Sequence, residues 1–322
     1  MRLPQSLISS PLFQYHRVSD LLAALDGEID DEEVSEIQRL SNLGLPPITS
    51  ANCLAAIFGV NPKFIWSLCN RRSRHYRHFS IPKGSGMRDI HAPRVGLKLI
   101  QKWLSVRLSQ FWGEREGVYG FVTGRSHVDA AAQHCGSDWV LSCDIENFFP
   151  STTELFVIQS LEAIGYRHSS AALIASLTCY QGGLAQGSPL SPILSNICFN
   201  FLDIKFLVLR DSISGVYTRY ADDIVFSGRG GFPEGLLEQI RNCFKGTPWC
   251  LADNKNYKAI RPCRLKVHGL LVDGDKPRLT KGYRNKIRAY SYLVDNKKIT
   301  KHESIILGHL TYAEFVTIHQ QG

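Results

Sequence analysis

An α+β fold is predicted by three stretches of this sequence. Val216-Tyr217-Thr218-Arg219 and Ile224-Val225-Phe226-Ser227 are β-branched and aromatic, and they flank Tyr220-Ala221-Asp222-Asp223. They predict two strands joined at an acidic pair. Trp139-Val140-Leu141-Ser142-Cys143 is apolar enough for a buried strand and ends at Asp144. Ile145-Glu146-Asn147-Phe148-Phe149 follows, and Pro150 stops regular continuation. Ile193-Leu194-Ser195-Asn196-Ile197-Cys198-Phe199-Asn200-Phe201-Leu202 predicts a helix, with Pro192 near its first turn.

A hairpin tip that exposes Asp222 and Asp223 concentrates negative charge unless a cation neutralises it, and divalent metals with oxygen ligands suit the pair. A solvated Asp-Asp turn is the competing reading. Asp144, directly after a buried strand, can lie beside such a tip in the same sheet. Three carboxylates can then hold two Mg²⁺ ions about 3.5–4 Å apart, the arrangement for in-line attack on phosphorus. Taken alone, Asp144 reads equally as a helix N-cap or strand end. Between these positions lie Gln181-Gly182-Gly183 and Gln186-Gly187-Ser188-Pro189-Leu190-Ser191-Pro192. A glycine-rich turn at a helix start lets backbone approach a nucleotide or a template strand; a plain loop-to-helix junction is the alternative.

Asp144 with Phe148-Phe149, then Gln186 to Pro192, then Tyr220 to Asp223, in that order, resemble the successive palm motifs of reverse transcriptases. The resemblance implies a right-hand polymerase: fingers, a palm of antiparallel sheet plus helices, and a small helical thumb. It implies Asp144, Asp222 and Asp223 as ligands of two Mg²⁺ ions, with Mn²⁺ as a substitute. Phe149 matches the bulky residue that blocks a ribose 2′-OH, which implies dNTP substrates. Lys255 aligns with a lysine that protonates the leaving pyrophosphate, and a cation there stabilises the developing charge. Lys258 is its rival, and a solvated loop lysine the plain reading.

More narrowly, the chain resembles bacterial retron reverse transcriptases. Leu40-Ser-Asn-Leu-Gly-Leu-Pro46 is similar to a short element ahead of their fingers. Phe79-Ser-Ile-Pro-Lys83-Gly-Ser-Gly-Met-Arg88-Asp-Ile-His-Ala-Pro93 resembles their fingers hairpin. Gly84, Ser85 and Gly86 make a tight connection, and Lys83 and Arg88 flank it, suited to grip a triphosphate. Tyr119-Gly120-Phe121 with Gly124-Arg125-Ser126 resembles the next motif, placing Arg125 near the nucleotide or template. Two signatures depart from the family pattern. Asn-Ala-x-x-His becomes Ala130-Ala131-Ala132-Gln133-His134, and Val-Thr-Gly becomes Val267-His268-Gly269. The resemblance implies nucleic-acid contacts at His134 and His268, but not those that rely on the missing Asn and Thr.

The formal net charge of +8 suits a polyanionic partner through salt-sensitive phosphate contacts. Asn70-Arg71-Arg72-Ser73-Arg74-His75-Tyr76-Arg77-His78 mixes cations with an aromatic, the combination that suits a phosphate backbone with a stacked base. Lys281, Arg284, Lys286 and Arg288 alternate with Ile287, Tyr290 and Leu293; Arg284 and Arg288 share a helical face fit to hold a duplex. Leu307-Gly308-His309-Leu310-Thr311-Tyr312-Ala313 is expected beneath it as a second helix. The acidic run Asp30-Asp31-Glu32-Glu33 reads as a surface helix or a partner-facing arm. Nine cysteines without paired C-x-x-C spacing favour reduced thiols in a cytoplasmic setting. No apolar run reaching ~20 residues is read, and Pro4 and Gln5 after Arg2 interrupt any secretory signal.

The expected organisation is an N-terminal helical extension over 1–50, mainly fingers over 51–143, palm over 144–272 and thumb over 273–322. No nuclease, maturase or ribonuclease H extension is expected to follow. The resemblance further implies a cognate structured non-coding RNA as template and primer. It also implies priming from an internal guanosine 2′-OH to give branched RNA–DNA, a separate toxin or effector protein, and a role in anti-phage defence. The alternatives are a group II intron-like or diversity-generating enzyme, and a scaffold whose RNA–DNA holds a toxin inactive.

Overall fold

Side-chain caps start the amino-terminal helices where the sequence supplies them. The computed structural model describes residues 5–84, 86–296 and 303–321; Arg2, Pro4 and Ser85 lie outside them. Among the described residues, the strands are β1 Tyr76–Lys83, β2 Gly86–Pro93, β3 Trp139–Asp144, β4 Cys179–Tyr180, β5 Gly183–Leu184 and β6 Val216–Tyr220. They continue as β7 Asp223–Gly228, β8 Tyr257–Ile260, β9 Lys266–Val267, β10 Leu270–Leu271 and β11 Arg278–Leu279. Helices and antiparallel pairing make the fold α+β. The chain divides into two compact units. The first comprises Met1–Glu114, Asn147–Phe201 and Gly246–Trp249; the second comprises Arg115–Glu146, Leu202–Lys245 and Cys250–Gly322.

In the first unit, Asp30 caps the helix Asp31–Asn42 by accepting from the Glu33 N–H at 2.8 Å, and Asp31, Glu32 and Glu33 occupy the first turn, where the helix dipole favours them. The acidic run is not a free arm. Glu36 is 3% exposed and takes both Arg39 and Arg167, while Glu32 also takes Arg167. Burial of Glu36 is tolerated because two guanidiniums satisfy it, and its carboxyl is held low chiefly by the Arg39 hydrogen bond. Asn61 caps Pro62–Asn70, with Pro62 where its missing N–H costs nothing. β1 and β2 form a hairpin in register from Tyr76 opposite Pro93 to Lys83 opposite Gly86. Trp249 is a hub for Phe148, Phe156 and Phe199, and its indole N–H donates to Thr152 Oγ1.

The second unit is built on a four-stranded antiparallel sheet in the order β6-β7-β3-β8. Its apolar core joins sheet residues Val140, Val225 and Ala259 to Val128, Leu265, Val267, Leu270 and Val316. Val316 belongs to Glu303–Gln321, the carboxy-terminal helix. That helix also meets Lys281–Asp295 through ring contacts of Tyr283 with His309 and Tyr312.

Ser191–Ser212 corrects one expectation. It is a 22-residue helix, long and apolar enough by composition to cross a membrane, yet 61% of its most apolar window is buried within the fold. Leu202 and Phe206 are fully buried, so one face of the helix serves the core, while Ile204 and Val208 remain exposed. All nine cysteines are free thiols.

Candidate active site

The three aspartates collect at one end of the second unit's sheet because register puts them there. β3 and β7 pair with Asp144 directly opposite Asp223, and β6 and β7 pair with Tyr220 opposite Asp223. Ala221 and Asp222 form the two-residue turn between these strands. Ala221 has φ of +59°, a left-handed conformation that costs a residue with a Cβ about 1–2 kcal/mol. Two neighbours hold the turn. The Ile145 N–H donates to the Asp222 carbonyl at 3.0 Å, and the Tyr119 N–H donates to the Arg219 carbonyl at 2.9 Å. Gly120 lies flat against the turn: a Cβ on it would stand 2.1 Å from the Ala221 nitrogen. The Tyr-Gly-Phe motif therefore needs its glycine for close approach of two backbones.

Beneath the turn is a charged group that inspection of the sequence missed. Arg219 is wholly buried, and its guanidinium grips the Asp203 carboxylate through two bonds of 2.7 Å. The Tyr217 hydroxyl donates to the same carboxylate at 2.6 Å, and Arg219 Nη1 donates to the Ala221 carbonyl at 3.2 Å. A charge inside an apolar strand facing a charge inside an apolar helix was the available signal.

The aspartates have basic partners of their own. Lys255 Nζ donates to Asp144 Oδ1 at 2.7 Å. The Lys255 ammonium is held above its ordinary range, first by that bond and further by the fields of Asp144, Asp222 and Asp223. His268 Nδ1 stands 3.6 Å from Asp223 Oδ2, with its ring against Tyr220. Among the described residues, no three His, Cys, Asp or Glu side chains are gathered as a ligand cluster. The expected cage is instead a pair of facing carboxylates, each beside a base, with Asp222 at the turn. As donors, carboxylate oxygens whose combined field acts on one ammonium suit a hard cation such as Mg²⁺ or Mn²⁺.

The family model described as "Reverse transcriptase (RNA-dependent DNA polymerase)" matches residues 81–250, which include all three aspartates. The chain belongs to the reverse transcriptase family. Within that family it falls among the retron enzymes. It is 30% identical over 262 residues to the retron Ec73 reverse transcriptase of Escherichia coli, covering 74% of this chain and 81% of that one. It is 29% identical over 194 residues to the retron Ec86 reverse transcriptase of Escherichia coli, covering 59% and 61%. Against three of the retron relatives, the match spans only 50–61% of their own lengths. Among solved structures, telomerase from Candida albicans is 11% identical at a TM-score of 0.44, covering 68% of this chain and 50% of that one.

The other positions expected of a reverse transcriptase divide by burial. Lys83 and Arg88 project from one face of the β1–β2 hairpin: Arg88 pairs with Ile81, and Lys83 lies two residues along the same strand. Gln186 and Gly187 pack on that hairpin. The Gln186 carbonyl accepts from the His91 N–H at 2.8 Å, and a Cβ on Gly187 would stand 3.0 Å from the His91 carbonyl oxygen. The glycine admits protein backbone at this point. Phe149 is half-buried beside Phe148 at a ring separation of 5.6 Å. Arg125 Nη1 donates to the Arg115 and Val118 carbonyls, which folds the loop before it.

Four expected nucleic-acid contacts are corrected. Arg72 is spent on Glu154, through two bonds of 2.7 and 2.8 Å, and on the Cys69 and Cys179 carbonyls. Tyr76 is 6% exposed, and its hydroxyl meets the Leu177 and Thr178 carbonyls, so no base can stack on it. His134 is 0% exposed. Its ring bridges Thr218 Oγ1 and Ser227 Oγ at 2.7 and 2.8 Å, tying β6 to β7, and burial pushes its pKa down to about 3. His268, with a side chain 6% exposed, faces Asp223 rather than outward. Arg71, Arg74, Lys281, Arg284, Lys286 and Arg288 are exposed. Lys286 Nζ lies 3.1 Å from His309 Nε2, and the other cations of this helix, Lys281, Arg284 and Arg288, recur along one face.

Proposed function

We propose that this chain is a retron-type RNA-directed DNA polymerase that copies part of a cognate structured RNA into single-stranded DNA. One observation carries the reading: Asp144 and Asp223 are register partners, with Asp222 in the adjoining turn, and all three act on the Lys255 ammonium. Asp144, Asp222 and Asp223 would hold Mg²⁺, which when bound lowers the barrier to attack of a hydroxyl on the nucleotide phosphorus. The protein's part is positioning. The Arg219–Asp203 pair and Gly120 keep the turn in one conformation. The Lys255 ammonium, which donates to Asp144 Oδ1 across 2.7 Å, would be the acid that gives a proton to a leaving pyrophosphate. Lys83 and Arg88 would bind the triphosphate, and Phe149 would crowd a 2′-hydroxyl.

Membership of the retron branch supports the rest of the proposal. This comprises priming from an internal guanosine 2′-OH, a branched RNA–DNA product, a separate effector protein, anti-phage defence and a cytoplasmic setting. Primer extension on an RNA template with dNTPs and Mg²⁺ tests the central claim. Synthesis is expected, and Asp222→Asn should abolish it. Defence that persists in that variant would favour the scaffold reading. Sequencing nucleic acid co-purified with the protein tests priming: linear DNA grown only from ordinary 3′ ends would sink the branched product.

A further inference from the structure

The sequence points to Tyr76 as the aromatic of the basic segment, and the structure buries it. The exposed aromatic is Trp66. It lies on the Pro62–Asn70 helix and is 52% exposed, whereas Trp103, Trp112, Trp139 and Trp249 are all 8% exposed or less. An indole left half in water costs apolar burial, so its surroundings matter. The Arg71 guanidinium lies over its ring, 5.3 Å from the centroid. Lys63 and Asn70 sit three residues before it and four after it, on the same exposed stripe, and Arg74 is exposed in the short turn that follows the helix. Between Glu36 and Asp89 the sequence contains no carboxylate side chain at all. Between Leu43 and Phe79, Trp66 is the one large apolar side chain left exposed.

A protein-docking patch would show contiguous apolar surface. An indole beside exposed cations, where the carboxylate that reaches this segment, Glu154, is already engaged by Arg72, suits a base on the ring and phosphates on the flanking charges. We propose that Trp66, backed by Arg71, is a stacking platform for an unpaired nucleotide of single-stranded RNA, with Lys63 and Arg74 taking its phosphates. This site rests on the RNA-directed polymerase reading and extends it to a surface that no palm motif includes.

Because Trp66 is the exposed indole of five, tryptophan fluorescence isolates it. Titrating nucleic-acid-free full chain with oligouridine at low salt is expected to quench the iodide-accessible emission. Trp66→Phe should remove that signal while labelled-RNA anisotropy stays within about 3-fold of the parent. Trp66→Ala and Trp66→Leu should each weaken binding by roughly 5- to 100-fold. Leucine keeps apolar bulk and removes the π face, so parent-like binding by Trp66→Leu would overturn stacking. Lys63→Ala, which removes a phosphate contact, should lower the slope of log affinity against log salt by about one. No quenching by RNA, or quenching only by a protein partner, would also overturn the platform. Primer extension run in parallel separates the two claims: an unquenched chain that still synthesises DNA loses the platform alone, whereas a chain that binds RNA and synthesises nothing loses the polymerase reading.

Discussion

At the acidic hairpin of the second unit, Arg219 lies wholly inside the fold, while Asp223 keeps a side chain 42% exposed. On the Pro62–Asn70 helix of the first unit and just beyond its end, Lys63, Arg71 and Arg74 lie outside and Trp66 lies outside with them. Both regions therefore hold residues against their usual preference for core or solvent. The hairpin places a buried charge under a functional turn and satisfies it completely. The helix leaves an apolar ring in water and surrounds it with cations. Full satisfaction indicates a brace, whereas incomplete burial beside charge indicates a contact surface. Residue type alone does not distinguish the two.

The largest break in this comparison should come at the carboxylates. Asp144→Asn is expected to cost at least about 10²–10³-fold in DNA synthesis with little change in Tm, read by primer extension beside thermal melting. Next in size is the brace. Arg219→Met leaves Asp203 buried without its cation and should destabilise the second unit by about 3–5 kcal/mol in urea unfolding. Combining it with Asp203→Leu should recover much of that loss.

The His134 tie gives a pH signature. Its pKa is depressed in the folded state, so the unfolded chain binds a proton that the folded chain refuses. Its contribution is complete above the usual 6.5 and is lost as pH falls toward 3. The slope is up to about 1.4 kcal/mol per pH unit. His134→Asn should flatten that dependence in denaturant titrations between pH 7 and 5, with pH chosen on the order of that window. Smallest of all, Arg74→Ala should change stability by no more than about 0.5 kcal/mol. It should still lower the salt slope of RNA binding by about one.

The strands beside the acidic pair were legible because β-branched, aromatic runs on either side of a tight turn are local facts. Asp144 stood out for another reason, an ordered set of motifs, and Lys255 only by resemblance, with Lys258 as its rival; the fold brings Lys255 to Asp144. His134 and Tyr76 were misread because a polar ring in a signature or a basic run looks exposed in sequence. Long-range partners decide otherwise: Ser227 and Thr218 for His134, and the Leu177 and Thr178 carbonyls for Tyr76. The helix Ser191–Ser212 was underrated because Asp203 interrupts its apolar run, and Asp203 is neutralised only by a strand 16 residues later.

The sequence by itself determined the family, the acidic hairpin and the strand that carries Asp144, since spacing and order along the chain are sufficient for each. Tertiary structure alone decided which charges became structural. It set Arg219 on Asp203, Arg72 on Glu154 and His268 beside Asp223, and it left Trp66 outside. The physical reason is that burial and pairing are properties of contacts distant in sequence. A guanidinium is a brace or a nucleic-acid contact according to what the fold brings to it.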